Sequence, residues 1–263
     1  MGTPLKDWDI NIYRGVLTGC NEAFIISTEK RNEILANCKT EDERKRTEEL
    51  IRPILRGRDI KRYGYEWANL WLIWVPWHFP LHLDNSIQGA SVKAEKAFET
   101  QYPAVYNHLL KYKTQLSARN KAETGIRYEW YALQRWGANY WEDFSKPKIV
   151  YPETTQGAYF AFDNSGIMLD KTCFMLIAED AVYIQRTLSS KLFEFAYKTI
   201  FSSVELGKSG YQYNKHALVK LPILLPNPAE QKMVVECSIN TLDNMIYSLY
   251  NLENEEVCYI NEY

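Results

Sequence analysis

Arg56 and Arg58 stand on either side of Gly57, in a stretch that continues through Asp59 to Lys61 and Arg62. A guanidinium offers paired N–H donors in one plane, which suits the two acceptors on guanine's major-groove edge. A lysine ammonium serves phosphate as a point charge. Gly57 permits a tight turn and close backbone approach, so one loop could present two such forks. The competing reading is that Arg58 and Asp59 simply fix the loop. A second stretch holds Lys208, Tyr211, Gln212, Tyr213 and Lys215 around Ser209-Gly210. Gln212 matches adenine's adjacent donor and acceptor. Its two tyrosines either enter a groove with it or pack on the helix before them. Arg119, Lys121, Arg127 and Arg135 are phosphate candidates, though each taken singly reads more readily as a solvated charge. Trp130 and Trp136 read as core. Thr18-Gly19 reads as a turn, and Lys146 and Lys148 as either strand-edge or phosphate-contacting residues.

Catalytic motifs are missing. There is no Walker A sequence and no G-x-G-x-x-G, so no loop is marked out to cradle a nucleotide phosphate. There is no G-x-S-x-G nucleophile elbow. N-P-P-Y, with which adenine methyltransferases hold a flipped base, is absent, and Asn227-Pro228 reads as a helix start. A P-D…E-x-K nuclease needs carboxylates clustered on a metal beside a lysine. Glu43-Arg-Lys45 and Glu230-Gln-Lys232 match E-x-K, but no Pro-Asp precedes either. His78 and His82 are four apart with Pro80 between them, which spoils the helical spacing that would converge them on a metal. The expectation is a chain that is not an enzyme and holds no cofactor or metal of its own.

Composition supports a folded protein. The 263 residues are 46% hydrophobic, enough for a sizeable core. No run approaches the roughly 20 apolar residues of a membrane span, and Met1-Gly-Thr-Pro-Leu-Lys-Asp-Trp has no apolar signal core. A cytoplasmic location with no membrane contact follows as the expectation. Five cysteines at wide spacing read as reduced thiols. The net charge is −2 but unevenly spread. Residues 226–263 hold one basic and seven acidic side chains, leaving +4 on the rest. Positive charge concentrates in 52–62 and 111–148, the local basic face that phosphate contact requires. The aromatic share of 14% fits a core and a binding surface alike.

These residues need a scaffold. Residues 12–28 read as a hairpin and 33–55 as largely helical, with a Thr40/Glu43 capping box. Leu70–Val75 reads as a buried strand, and 91–100 and 103–116 as helices. Strands follow at 148–151, 158–162, 167–169 and 172–178, then a helix capped by Asp180 running to about 202. Asn227, Pro228 and Glu230 start a final helix whose Val235, Ile239, Leu242, Ile246 and Leu249 form an apolar seam.

The stretch Leu55-Arg-Gly-Arg-Asp-Ile-Lys-Arg-Tyr63, preceded by Arg14-Gly-Val-Leu-Thr-Gly, resembles the TaqI-like C-terminal specificity domain. Trp130–Arg135, Lys146–Pro152, Phe162–Gly166, Leu188–Phe193 and Gly210–His216 follow in the matching order, so the resemblance spans about residues 12–225. It is the target recognition domain of type II restriction–modification enzymes and adenine-specific DNA methyltransferases. The resemblance implies an α+β fold, a curved mostly antiparallel sheet packed with helices and followed by a C-terminal helical arm. Residues 1–225 would form the recognition domain and 226–263 the arm, as spacer or packing element. It implies double-stranded DNA as partner, and a methyltransferase, with or without a nuclease, in the full-length protein or a partner subunit. S-adenosylmethionine and magnesium are implied only for that parent enzyme. Two alternatives stay open: part of a type I-like specificity subunit, or an aromatic-rich carbohydrate- or peptide-binding module.

Overall fold

The computed structural model describes residues 2–202, 205–206 and 210–263. Two four-stranded sheets, three smaller ones and the helices around them make an α+β fold among the described residues. The central sheet orders its strands as Ala161–Asp163, Lys148–Pro152, Cys173–Ala178 and Ile10–Arg14, all antiparallel. Helices and loops cover both of its faces, which explains the continuous apolar runs in its strands. Val150 and Met175 face one core, while their neighbours Ile149, Tyr151 and Leu176 face the other. The second sheet runs Met168–Leu169, Ile51–Leu55, Leu70–Ile73 and Ile25–Ser27. Its first pair is parallel and the rest antiparallel.

The expected hairpin at 12–28 does not form. Ile10–Arg14 belongs to the central sheet and Ile25–Ser27 to the second, with a one-turn helix, Asn21–Phe24, between them. Gly15 makes the crossing possible: a β-carbon there would lie 2.0 Å from the Asp170 carbonyl oxygen. The expected helix 33–55 is likewise divided. Thr28–Ala36 ends before a turn, and Thr40 restarts the chain by accepting the Glu43 N–H at 3.1 Å. Glu43 returns a bond to the Lys39 N–H and also takes the Ala104 N–H, tying this helix to the start of Pro103–Leu110. Ile51–Leu55 then pairs as a strand despite Pro53, because its apolar side chains fill the core between the neighbouring strands.

The helix expected from 180 to 202 breaks at Ser189-Ser190. Ala181–Leu188 and Lys191–Ala196 are separate helices, the second capped by the Ser190 hydroxyl, and a π-helical turn Tyr197–Phe201 follows. Residues 228–262 form three helices where the apolar seam predicts one: Pro228–Glu236, Ile239–Leu249 and Asn254–Glu262. Asn227 caps the first as expected, accepting the Ala229 and Glu230 N–H groups. These helices fold back onto Ala181–Leu188 and Lys191–Ala196. Val234, Leu242 and Ile246 join Ile184, Leu188 and Phe193 in one core. Trp130 and Trp136 are buried in the other core, as expected. Among the described residues, no helix is long and apolar enough to cross a membrane.

Candidate nucleic-acid interface

Two strands from different sheets end beside each other. Ile51–Leu55 leads into the Arg56–Asp59 turn, and Lys148–Pro152 leads into Glu153-Thr154-Thr155-Gln156. Between these ends lies a groove of about 600 Å³. Arg56, Gly57, Arg58 and Lys61 line it together with Thr154, Gln156 and Gly210, and the carboxylates of Glu153 and Asp170 lie in the same lining. The arginine turn and the Gly210 end of the tyrosine stretch therefore share one concave surface.

The turn is anchored on both sides. Asp59, 5% exposed, accepts Arg56 Nε at 3.0 Å, Arg56 Nη2 at 2.8 Å and the Arg56 backbone N–H at 2.9 Å. The bonds to Asp59 raise the arginine's pKa further above its ordinary value. The Gly57 N–H donates to Thr172 Oγ1 at 2.8 Å, locking the turn against the central sheet. A β-carbon on Gly57 would come within 3.1 Å of that hydroxyl and 3.3 Å of Pro152. The sequence offered Arg58 as the partner of Asp59; the structure gives that place to Arg56. Arg58 is exposed and, among the described residues, its guanidinium has no hydrogen-bond or ion-pair partner. Lys61 is exposed too, and its ammonium donates to the Arg58 carbonyl at 3.0 Å. Arg62 turns away from the groove to pair with Glu194, which also holds Lys198.

The hairpin Ile60–Lys61/Gly64–Tyr65 that follows is fastened from beneath. Tyr65 Oη donates to Asp163 Oδ1 at 2.8 Å, and Lys148 Nζ bonds Asp163 Oδ2 at 2.5 Å in a fully buried ion pair. Burial alone would raise the Asp163 pKa, but Lys148, Ser165 and Tyr65 donate to the carboxylate and hold it below its ordinary range. The phosphate-contacting alternative for Lys148 is therefore corrected: no part of the side chain reaches solvent. Lys146 is exposed and pairs with Asp143 at 2.6 Å.

Other candidates are corrected by burial. Arg119 is enclosed and donates to the carbonyls of Thr18, Leu116, Trp130 and Ala132 at 2.5 to 3.0 Å, with burial lowering its pKa. It ties loops together and cannot reach phosphate. Gly19, at φ 74°, gives it room: a β-carbon there would lie 2.7 Å from Arg119 Cδ. Tyr211 and Tyr213 are 3% and 1% exposed and meet at their hydroxyls, 3.2 Å apart. Tyr213 packs against Phe160 and Tyr197, with ring centroids 4.7 and 4.3 Å away. Burial pushes both phenols up. They build the core under the groove and do not enter it. Gln212 is half-buried between them, its backbone paired with Thr154.

The remaining basic candidates lie apart from this wall. Arg127 and Arg135 are exposed but share Glu123, at 2.9 and 2.8 Å. The Leu17 backbone bridges Arg135 and its neighbour Val16 bridges Asp170 at the groove, so one short segment links the two regions. Lys121 is exposed, and Lys215 reaches the Ile12 carbonyl at 3.2 Å. Lys208 lies outside the described residues. Sequence reading missed Thr154, Gln156 and Thr172. The polar run Glu153–Gln156, directly after an apolar strand, is the signal that could have drawn attention to them. No group of three or more His, Cys, Asp or Glu side chains comes together as a metal set among the described residues.

Comparison with known proteins agrees with this architecture. The type II methyltransferase M.MjaIV of Methanocaldococcus jannaschii is 24% identical over 251 residues, covering 92% of this chain and 74% of the relative. The type IIL restriction–modification enzyme MmeI, solved in complex with DNA, superposes with a TM-score of 0.56 at 16% identity over 98% of this chain. The type IIG restriction endonuclease BpuSI gives 0.51 at 11% identity over 95%. This chain spans 35% of the MmeI chain and 26% of the BpuSI chain, and at these identities the likeness is one of fold. Residues 52–223 match the model of the TaqI-like C-terminal specificity domain, and the chain belongs to that family.

Proposed function

We propose that this chain recognises a short sequence in double-stranded DNA for a type IIG-like restriction–modification adenine methyltransferase and carries no catalytic groups itself. The groove between the Arg56–Lys61 turn and the Thr154–Gln156 segment carries this reading, because its lining includes a guanidinium, that of Arg58, with no partner among the described residues, on a rigid turn. Arg58 would make two hydrogen bonds to guanine, and Lys61 would take a phosphate. Arg56 would act as a strut: its bond to Asp59 sets the course of the backbone that presents Arg58. Methyl transfer, with its S-adenosylmethionine, and any magnesium-dependent cleavage would belong to other parts of the parent protein. Positioning the target for that chemistry is the contribution of this domain.

The test is selection from a pool of random duplexes with the 263-residue chain at several salt concentrations. A defined enriched site, bound less tightly as salt rises, is the expected result. Uniform weak retention of every duplex would overturn the proposal.

A further inference from the structure

The Glu153–Gln156 segment that lines the groove is built as firmly as the turn that carries Arg58. The backbone of Thr154–Thr155 pairs with that of Tyr211–Gln212. The Glu153 N–H donates to the Thr172 carbonyl at 2.8 Å, and the Glu153 carbonyl accepts the Tyr213 N–H at 2.9 Å. Thr155 is buried, donates to the Gly157 carbonyl at 2.7 Å and accepts the Gly157 N–H at 3.2 Å, which closes the turn beyond it. Gly157 suits this turn because a β-carbon would sit 2.8 Å from the Tyr159 ring. Strand alternation then leaves Thr154 and Gln156 exposed on either side of Thr155, both lining the groove. The Gln156 amide has no hydrogen-bond partner among the described residues, although the backbone that carries it is fixed on both sides.

A primary amide holds one donor and one acceptor side by side, the arrangement that adenine's N6 and N7 complement. The Thr154 methyl group suits contact with the thymine methyl. We infer that Gln156 is a specificity-determining residue that reads an adenine in the same site in which Arg58, lining the same groove, reads a guanine. The site recognised therefore combines A·T and G·C pairs. Gln212, the earlier candidate for adenine, is not among the residues lining the groove. This inference rests on the proposed DNA-recognition function and adds to it a residue and a base.

The experiment is duplex selection with the wild-type chain, Gln156→Ala, Gln156→Glu and Arg58→Ala, each first checked for an unchanged melting temperature. The expected outcome is that Gln156→Ala lowers preference at one adenine position by roughly 5- to 150-fold and spares the guanine position. Arg58→Ala should do the reverse. Gln156→Glu should shift the adenine position toward cytosine, whose amino group a carboxylate accepts. No purely structural role would produce that shift. A wild-type chain that selects a site unaltered by either Gln156 substitution, or one without adenine, overturns this inference alone. A wild-type chain that selects no site overturns the proposed function as well.

Discussion

Arg56 gives its Nε and Nη2 to the two carboxylate oxygens of Asp59, so one guanidinium of the Arg56-Gly57-Arg58 pair is committed within the loop while the other faces the groove. Two residues that look equivalent in the sequence therefore carry separable jobs, one in stability and one in recognition.

Arg58→Ala should cost about 1–3 kcal/mol of discrimination at one base position and leave the melting temperature unchanged. Arg56→Ala should lower stability by about 1–3 kcal/mol, because Asp59 stays buried without its partner. Denaturant unfolding and competition binding measure the two effects. A stability loss on the Arg58 variant would reverse the assignment.

Lys61→Ala should reduce the slope of log affinity against log salt by roughly one, the signature of a lost phosphate contact. Arg62→Ala should leave that slope in place, since Glu194 already holds the side chain. Titrations at four or more salt concentrations distinguish them.

Lys148→Met should destabilise the protein by about 3–5 kcal/mol, since it strands the Asp163 carboxylate in a fully buried site. The double variant Lys148→Met/Asp163→Leu should recover part of the loss, because no unpaired charge remains. Chemical denaturation of the three proteins is the measurement.

Arg119→Ala should destabilise more than any exposed arginine variant, as it leaves four backbone carbonyls without their donor. Its effect on the salt slope of DNA binding should be negligible. A melting temperature equal to the wild type would contradict the structural role.

Acid should weaken the fold below neutrality. Burial lowers the His108 pKa, against a smaller opposing effect from its bond to the Ala23 carbonyl, and burial lowers that of His82 as well. Above about pH 6.5 both rings are neutral in both states, and this stability is fully present. As pH falls, the unfolded chain takes up protons first, and each ring costs up to about 1.4 kcal/mol per pH unit until the folded ring titrates. Melting curves at pH 7.5 and 5.5 should show the drop, with a smaller one in His108→Gln.

Much of the scaffold was legible because it is written in periodicity. The runs at 70–75, 148–151 and 172–178 became strands close to where apolar continuity put them, and Asn227, Pro228 and Glu230 capped their helix. Long-range pairing was not legible. Nothing local in Ile51-Arg-Pro-Ile-Leu55 shows that it will lie beside Leu70–Ile73, and nothing between 15 and 24 shows that the chain changes sheet there. At the site, the sequence located the basic turn but not which arginine Asp59 would take. Tyr211 and Tyr213 could be read as core or as surface because a tyrosine serves both, and only their burial decides. Gln156 gives no signal in the sequence, because a glutamine alone in a polar run has no motif around it.

The folding-back of residues 228–262 bears on any transplantation of specificity between related enzymes. A graft cut at residue 225 would leave Ile184, Leu188 and Phe193 without the Val234, Leu242 and Ile246 that cover them. A swapped module that includes residues 228–262 would carry those covering side chains with it.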